Sequence, residues 1–277
     1  MSVKQLIVGP WVGEFGWELF AWQAHMRSLS QHYDNTVVIC RSTSQALYAD
    51  FADEFISLPE LSGLADSFFM HGVDTSRVLK EVLQSHTQLF KPGTTLIPPR
   101  RLGMPPFTPC TQSEVFGERH IIPHYLKFGD IGDKSYDYIF HIRDRDLRKE
   151  DNWSLTNWKH LRDKLQNDGS TIACIGTSAE SAHIDDTTDL RDGDLATVFD
   201  VIRNSDCVFG PSSGPMHLAS LCGAPHVVWS KEGNRDRYIN TWNPHATAVL
   251  FLSEKSWHPT PEYVFAEFNK WRKEWKL

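Results

Sequence analysis

The sequence predicts an α/β protein made of two similar halves, each built on a parallel sheet. Three observations carry this. Short apolar runs alternate with segments of helical periodicity through most of the 277 residues. The alternation breaks once, over the proline- and glycine-dense stretch KPGTTLIPPRRLGMPPFTPCTQ, and then restarts. The length suits two hydrophobic cores better than one.

In the first half, KQLIVG and NTVVICRS read as strands flanking an amphipathic helix from about Trp17 to His32. A second helix near SQALYADFA, a third strand near EFISLP and a helix over TSRVLKEVLQSHTQLF follow. The proline-rich stretch excludes an interior helix or a central strand, so it reads as a long loop or boundary. An interdomain linker between it and FGDIGDKS gives domains of 1–128 and 129–277. The second half reads YDYIFHIR strand, LTNWKHLRDKLQND helix capped by Ser154 or Thr156, STIACIGTS strand and DLATVFDVIRNS helix. DCVFG strand, GPMHLASLCG helix and PHVVWS strand come next. The last helix starts at Thr260 as cap with Pro261 at its first position, and Val264, Phe265, Phe268, Trp271 and Trp275 share one face. Two such halves leave a cleft, and open parallel sheets bind ligands at the carboxyl ends of their strands.

Bulk properties narrow the class. Hydrophobic residues at 40% and charged residues at 23% are those of an ordinary globular protein. A net charge of -7 disfavours general attraction to polyanions, although a local basic patch remains compatible with it. The apolar run of MSVKQLIVGP is too short for a signal peptide or a membrane span. The five scattered cysteines have neither zinc-ligand spacing nor an even count, which points to a reduced, cytoplasmic setting.

The most specific segment is VFGPSSGPMHLASLCGAPHVVWS, which reads strand, tight turn, helix, strand. The turn offers the hydroxyls of Ser212 and Ser213, then Gly214, with Pro215 opening the helix and Met216 and His217 in its first turn. A helix N-terminus has unpaired N–H groups and a partial positive charge, so an anion is favoured there. An ordinary capped helix explains the same residues. For His217, a ligand contact and a satisfied core histidine are both open.

This segment resembles the signature of GT-B glycosyltransferases, and of the bacterial heptosyltransferases that use ADP-heptose in particular. Ser213, Gly214, His217, Gly223 and Pro225 match it, while Ser212 stands where that family usually has aspartate. DLRDGDLATVFDVIRNSD and NWSLTNWKHL are similar to further parts of the family pattern, so the likeness covers most of 136–230 plus the N-terminal turn. It implies two Rossmann-like domains facing across a cleft, with the C-terminal helix packing back on the N-terminal domain. It also implies a donor diphosphate at the serine turn, a nucleotide-sugar as substrate rather than a cofactor, and no metal.

Two further segments take roles from that picture. In HIRDRDLRK, His141, Arg143 and Asp146 match a His-x-Arg-x-x-Asp pattern of fucosyltransferases, whose arginine meets the donor phosphates. Arg143 is the first candidate and Arg145 the second, since a guanidinium grips a diphosphate bidentately. A solvated mixed-charge loop is the plain reading, and Asp144 with Asp146 also spells a metal-binding Asp-x-Asp, as do Asp192 and Asp194. In GPWVGEFGWELFAWQ, the carboxylates Glu14 and Glu18 sit at a strand-to-helix turn. Acids there suit the helix dipole, but they repel a phosphate. A general base that takes the proton of an acceptor hydroxyl fits them better. Heptosyltransferases carry Gly-Asp at the corresponding turn, and Gly13-Glu14 resembles it, so Glu14 is the leading base and Glu18 the second. Gly13, Phe15, Gly16 and Trp17 are the matching acceptor-side residues. Trp17 and Trp22 pack on a sugar or base in this reading, or simply join the core.

Gly176, Thr177, Ser178, Asp189 and Leu190 lie where ribose, phosphate or base contacts belong, and Lys231, Asn234 and Arg235, which follow the PHVVWS strand, are further candidates to face the donor. Glu254 and Glu262 match the spacing of a retaining-enzyme pair, but Pro259 and Pro261 between them argue for chance, which leans the reading to inversion. The expected activity is sugar transfer from a nucleotide-sugar donor to a glycan hydroxyl. Three alternatives stand beside it. One is a phage-type DNA glycosyltransferase acting on a hydroxymethylated base, with Arg100, Arg101 and Arg145 on phosphates. The others are a nucleotide-sugar 2-epimerase and a non-catalytic sugar-nucleotide-binding protein.

Overall fold

A computed structural model describes residues 4–11, 13–58, 75–97, 121–166 and 169–275. The chain divides into two compact units, Met1–Tyr125 and Leu126–Leu277. Each is an α/β unit on a parallel sheet, as the alternation predicts. Arg100, Arg101 and Cys110 lie outside the described residues.

In the first unit the described strands are β1 (Gln5–Val8), β2 (Asn35–Arg41), β3 (Glu54–Leu58) and β4 (Thr94–Ile97), in the order β3-β2-β1-β4. All neighbours run parallel. β1 is buried along its whole length and β2 along nearly all of it, as β-branched runs covered on both faces should be. β4 falls inside the stretch read as loop. It is tolerated there because among the described strands it pairs with β1 only, at the sheet edge, with Pro98 and Pro99 coming after its last residue. The helix predicted from Trp17 begins with one α turn, α1 (Phe15–Trp17), passes through a π turn (Glu18–Trp22) and continues as α2 (Gln23–Ser30). The helix expected at SQALYADFA is a 3₁₀ segment, Ser42–Leu47. Helix α3 (Thr75–Ser85) follows. Ile7, Val37, Ile39, Ile56, Leu58, Val82 and Leu89 form the core.

In the second unit β5 (Tyr138–Phe140), β6 (Ile172–Cys174), β7 (Thr188–Asp189), β8 (Cys207–Pro211), β9 (His226–Trp229) and β10 (Val249–Leu252) pair in the order β10-β9-β8-β5-β6-β7, all parallel. β7 and β10 are additions to the sequence reading; both are short and lie at the sheet edges. The helices are α4 (Leu155–Gln166), α5 (Leu195–Arg203), α6 (Gly214–Cys222) and α7 (Pro261–Trp275). Three of them, α4, α5 and α7, are capped at their starts by side chains, α4 and α7 by residues read from the sequence. Ser154 Oγ accepts from Asn157 N–H at 3.2 Å, Asp194 from Thr197 N–H at 3.0 Å and Thr260 Oγ1 from Tyr263 N–H at 3.2 Å.

Aromatic packing dominates this core. Trp153, Trp158 and Trp229 contact one another with centroids 4.8 to 5.2 Å apart, and Phe209 lies 4.9 Å from Phe268. The last helix, expected to reach back to the N-terminal domain, buries Val264, Phe268 and Trp271 in this core of the second unit, while Trp275 stays 55% exposed. From β5 the chain builds outward through β6 and β7, then returns to β8 on the other side of β5. The strand order therefore reverses between β5 and β8, and that edge is where an open parallel sheet presents a crevice. Among the described residues no helix is long and apolar enough to cross a membrane.

Candidate anion-binding site

The turn after β8 stands at this reversal. Gly210 is required just before it, because a Cβ there would lie 2.6 Å from Met216 Sδ. Ser212 N–H still donates to Trp229 O at 3.1 Å, extending the β8–β9 ladder by one bond. Ser213 is fully extended and Gly214 enters the helix. The first intrahelical bond runs from His217 N–H to Ser213 O, 3.2 Å, so the amides of Gly214 and Met216 precede it, and Pro215 has none to leave unpaired. No acid lies in this first turn. Ser212, Ser213, Gly214 and Pro215 are half-buried and reachable. The Ser213 hydroxyl does not cap the helix; its oxygen is buried with no hydrogen-bond partner among the described residues.

What holds the turn is Tyr238, from the π turn Arg237–Thr241. Its Oη accepts Ser213 N–H at 3.1 Å and donates to Ser212 Oγ at 3.0 Å. His217 stacks on Tyr238, centroids 4.1 Å apart, and meets the edge of Trp242 at 4.7 Å. Burial drives the imidazole well below its usual pKa, so it packs as a neutral ring under the turn. Tyr238 was not singled out from sequence: nothing local marks a tyrosine in SKEGNRDRY as a partner for serines some 25 residues earlier.

The loop after β5 departs from expectation. Arg143 is 3% exposed and its terminal nitrogens are spent on the protein itself. Nη1 donates to Arg148 O at 3.0 Å and to Asn152 Oδ1, and Nη2 to Leu147 O at 2.8 Å. This guanidinium closes the 147–152 loop rather than a ligand's diphosphate. Burial also lowers its pKa. His141 is buried beside it, bonded through Nδ1 to Ile175 O and held neutral by burial, near 4. Arg145 is partly exposed and pairs with Glu180 at 3.7 Å. We expect Arg143→Met to cost about 2–3 kcal/mol in folding stability, the scale of lost charge-assisted hydrogen bonds, as read by urea unfolding. A variant that folds as firmly as wild type but has lost nucleotide affinity would contradict this placement.

Gly176, Thr177, Ser178 and Leu190 lie on the same carboxyl edge, past β6 and β7. Gly176 has φ +131°, and a Cβ would sit 2.1 Å from Ser181 Oγ, so only glycine fits. Leu190 N–H donates to Cys174 O at 2.9 Å, and Ser178 N–H to Asp192 Oδ1 at 2.9 Å. Asp192 is thus a turn residue and Asp194 a helix cap, which accounts for the second Asp-x-Asp. Among the described residues no three His, Cys, Asp or Glu side chains gather as metal ligands.

The first unit separates its two glutamates. Glu18 is fully buried. Its carboxylate accepts from Arg41 Nη2 at 2.7 Å, Ser44 Oγ at 3.0 Å and Tyr48 Oη at 2.7 Å. It anchors α1 to the end of β2, and the base role considered for it is replaced by a structural one. Arg41 Nη2 also donates to Gly13 O at 3.2 Å, which ties the Gly13–Glu14 turn to the same ion pair. Glu14 itself is half-buried and extended ahead of α1. Its carbonyl takes the N–H groups of Trp17 and Glu18 and the Trp11 indole. Gly13 packs under the Trp11 ring, where a Cβ would come within 2.7 Å of Cζ2, and Trp11 stacks on Trp22 at 5.6 Å. Phe15, Gly16 and Trp17 are half-buried, whereas Trp22 is fully buried and belongs to the core.

No protein-family model matches the chain, and no curated protein matches it in sequence. Solved structures do. A glycosyltransferase family 9 protein from Veillonella parvula has TM-score 0.65 at 12% identity, covering 99% of each chain. ADP-heptose LPS heptosyltransferase II of E. coli has TM-score 0.61 at 13% identity, covering 99% of this chain and 100% of that one. The E. coli heptosyltransferase WaaC with ADP has TM-score 0.59 at 12% identity, covering 97% and 99%. These likenesses establish the fold: over almost its full length the chain has the α/β architecture of the heptosyltransferase structures.

Proposed function

We propose that this protein is a GT-B glycosyltransferase that moves a sugar from a nucleotide-sugar donor to an acceptor hydroxyl, with inversion and without a metal. The observation that carries the reading is the Ser212–Gly214 turn. It combines two N–H groups ahead of the first helical bond, a buried Ser213 hydroxyl with no hydrogen-bond partner among the described residues and a first turn without a carboxylate, at the point where strand order reverses. Such a turn favours a diphosphate. The fold supports the same reading, since neighbours of this architecture include a heptosyltransferase with ADP.

In this reaction Glu14 takes the proton of the acceptor hydroxyl as its oxygen attacks the anomeric carbon. The bond from that carbon to the diphosphate oxygen breaks, and the nucleoside diphosphate leaves with the electron pair. The helix N-terminus and the serine hydroxyls meet the charge that develops on it. A DNA acceptor is not favoured: Arg145, the one of its proposed phosphate contacts that lies within the described residues, is paired with Glu180. A glycan hydroxyl is the acceptor we propose.

The test is ligand-induced stabilisation. Nucleoside diphosphates and nucleotide sugars, ADP first, are screened for their effect on the melting temperature. A ligand at a hundred times its Kd stabilises by about 2.7 kcal/mol, which is a shift of several degrees for a chain of this size. A flat response across adenine, uracil, guanine and cytosine diphosphates and their sugars rejects the proposal.

A further inference from the structure

A diphosphate bound at the Ser212–Gly214 turn needs positive charge, and the arginines predicted to supply it are occupied. Arg143 is buried on loop carbonyls. Arg145 pairs with Glu180, Arg148 with Asp151, Arg191 with Asp189 and Arg235 with Glu232. Arg237 lies over the Trp242 ring at 5.2 Å. Two lysines on loops at this sheet edge have neither an ion pair nor a side-chain hydrogen bond among the described residues: Lys149 and Lys231. Lys149 lies well past β5 in an exposed turn, with Glu150 and Asp151 next to it.

Lys231 is placed differently. β8 and β9 are in register with Pro211 opposite Trp229, and Ser212 N–H extends the ladder to Trp229 O. Counting one residue further along each strand, Ser212 and Ser230 are neighbours, and Ser213 and Lys231 are the next positions out. Ser230 is fully buried and fixed: its N–H donates to Leu252 O at 3.1 Å, and its Oγ accepts from Asn234 Nδ2 at 2.7 Å. Lys231 is therefore the first exposed residue to leave β9, at the same carboxyl edge of the sheet from which the serine turn leaves β8. The carboxylate next to it, Glu232, is held by Arg235 Nε at 2.6 Å and so is not free to claim the ammonium.

We propose that Lys231 is a ligand-binding residue of this turn, its ammonium meeting the terminal phosphate of a nucleoside diphosphate. This rests on the function proposed above. A lysine suits the position because its compact charge on a flexible stem can follow a diphosphate as it leaves, whereas the neighbouring arginines are locked.

The test is calorimetric titration of the full chain with ADP, UDP, GDP and CDP, and with the matching monophosphates. Variants are Lys231→Ala, Lys231→Arg and Lys149→Ala. Lys231→Ala should weaken the best diphosphate about ten-fold or more, the scale of a charge-assisted hydrogen bond. It should also leave monophosphate affinity and melting temperature unchanged and flatten the salt dependence of binding. Lys231→Arg should restore most of the affinity. Unchanged diphosphate binding by Lys231→Ala, or a loss confined to Lys149→Ala, overturns the assignment while the nucleotide site stands. If the unaltered chain binds no diphosphate, the site and the assignment fall together.

Discussion

Glu18→Ala is expected to destabilise the protein by about 3–5 kcal/mol, the range for removing one partner of a buried ion pair. The carboxylate is fully buried and receives an Arg41 guanidinium, a Ser44 hydroxyl and the Tyr48 phenol, all within 3.0 Å. Alanine would take the carboxylate at 2.7 Å away from the Arg41 charge, whose side chain is 5% exposed, and remove the acceptor that two hydroxyls share. The phenol cannot take over the anion's role, because burial pushes its pKa up and keeps it protonated. Glu18→Gln keeps an acceptor and should lose less. Urea unfolding provides the measurement: a lower midpoint with an unchanged slope is expected. A loss below about 1 kcal/mol would mean that the cluster does not carry this part of the fold.

Glu14→Gln should do the reverse, sparing the fold and stopping the chemistry. The substitution is isosteric at a half-buried site, and the bonds Glu14 makes through its carbonyl are unaffected. Stability should change far less than in Glu18→Ala. Loss of a general base lowers turnover about 10²–10⁴-fold. The measurement is release of nucleoside diphosphate from the best-binding nucleotide sugar in the presence of acceptor, with affinity for that donor unchanged. Turnover equal to wild type removes Glu14 from the mechanism. Equal binding with no turnover by either protein would make this a sugar-nucleotide-binding protein instead of an enzyme.

The contrast between Glu14 and Glu18 shows how far the sequence reaches. The two acids are four residues apart at one strand-to-helix turn, and composition and dipole treat them alike. They differ because Arg41, Ser44 and Tyr48, brought in by β2 and the 3₁₀ segment after it, converge on Glu18. Arg143 makes the same point. A run of alternating charges suggested a cation open to ligand, but its actual partners are main-chain carbonyls and an asparagine, groups that no charge pattern reports. Tyr238 escaped notice because its partners lie across β8 and β9. β10 escaped because a four-residue apolar run takes its meaning only from the strand beside it.

Local rules were enough to set the α/β alternation, the helix caps at Ser154 and Thr260, and the serine turn that opens the helix after β8. Each depends on residues within a few positions of one another, where periodicity, capping and turn chemistry act. Which carboxylate is anchored, which arginine is consumed and which lysine is left exposed were settled by folding. Those outcomes depend on burial and on partners distant in sequence, and a charge's availability is set by what the packed chain has already given it to bind.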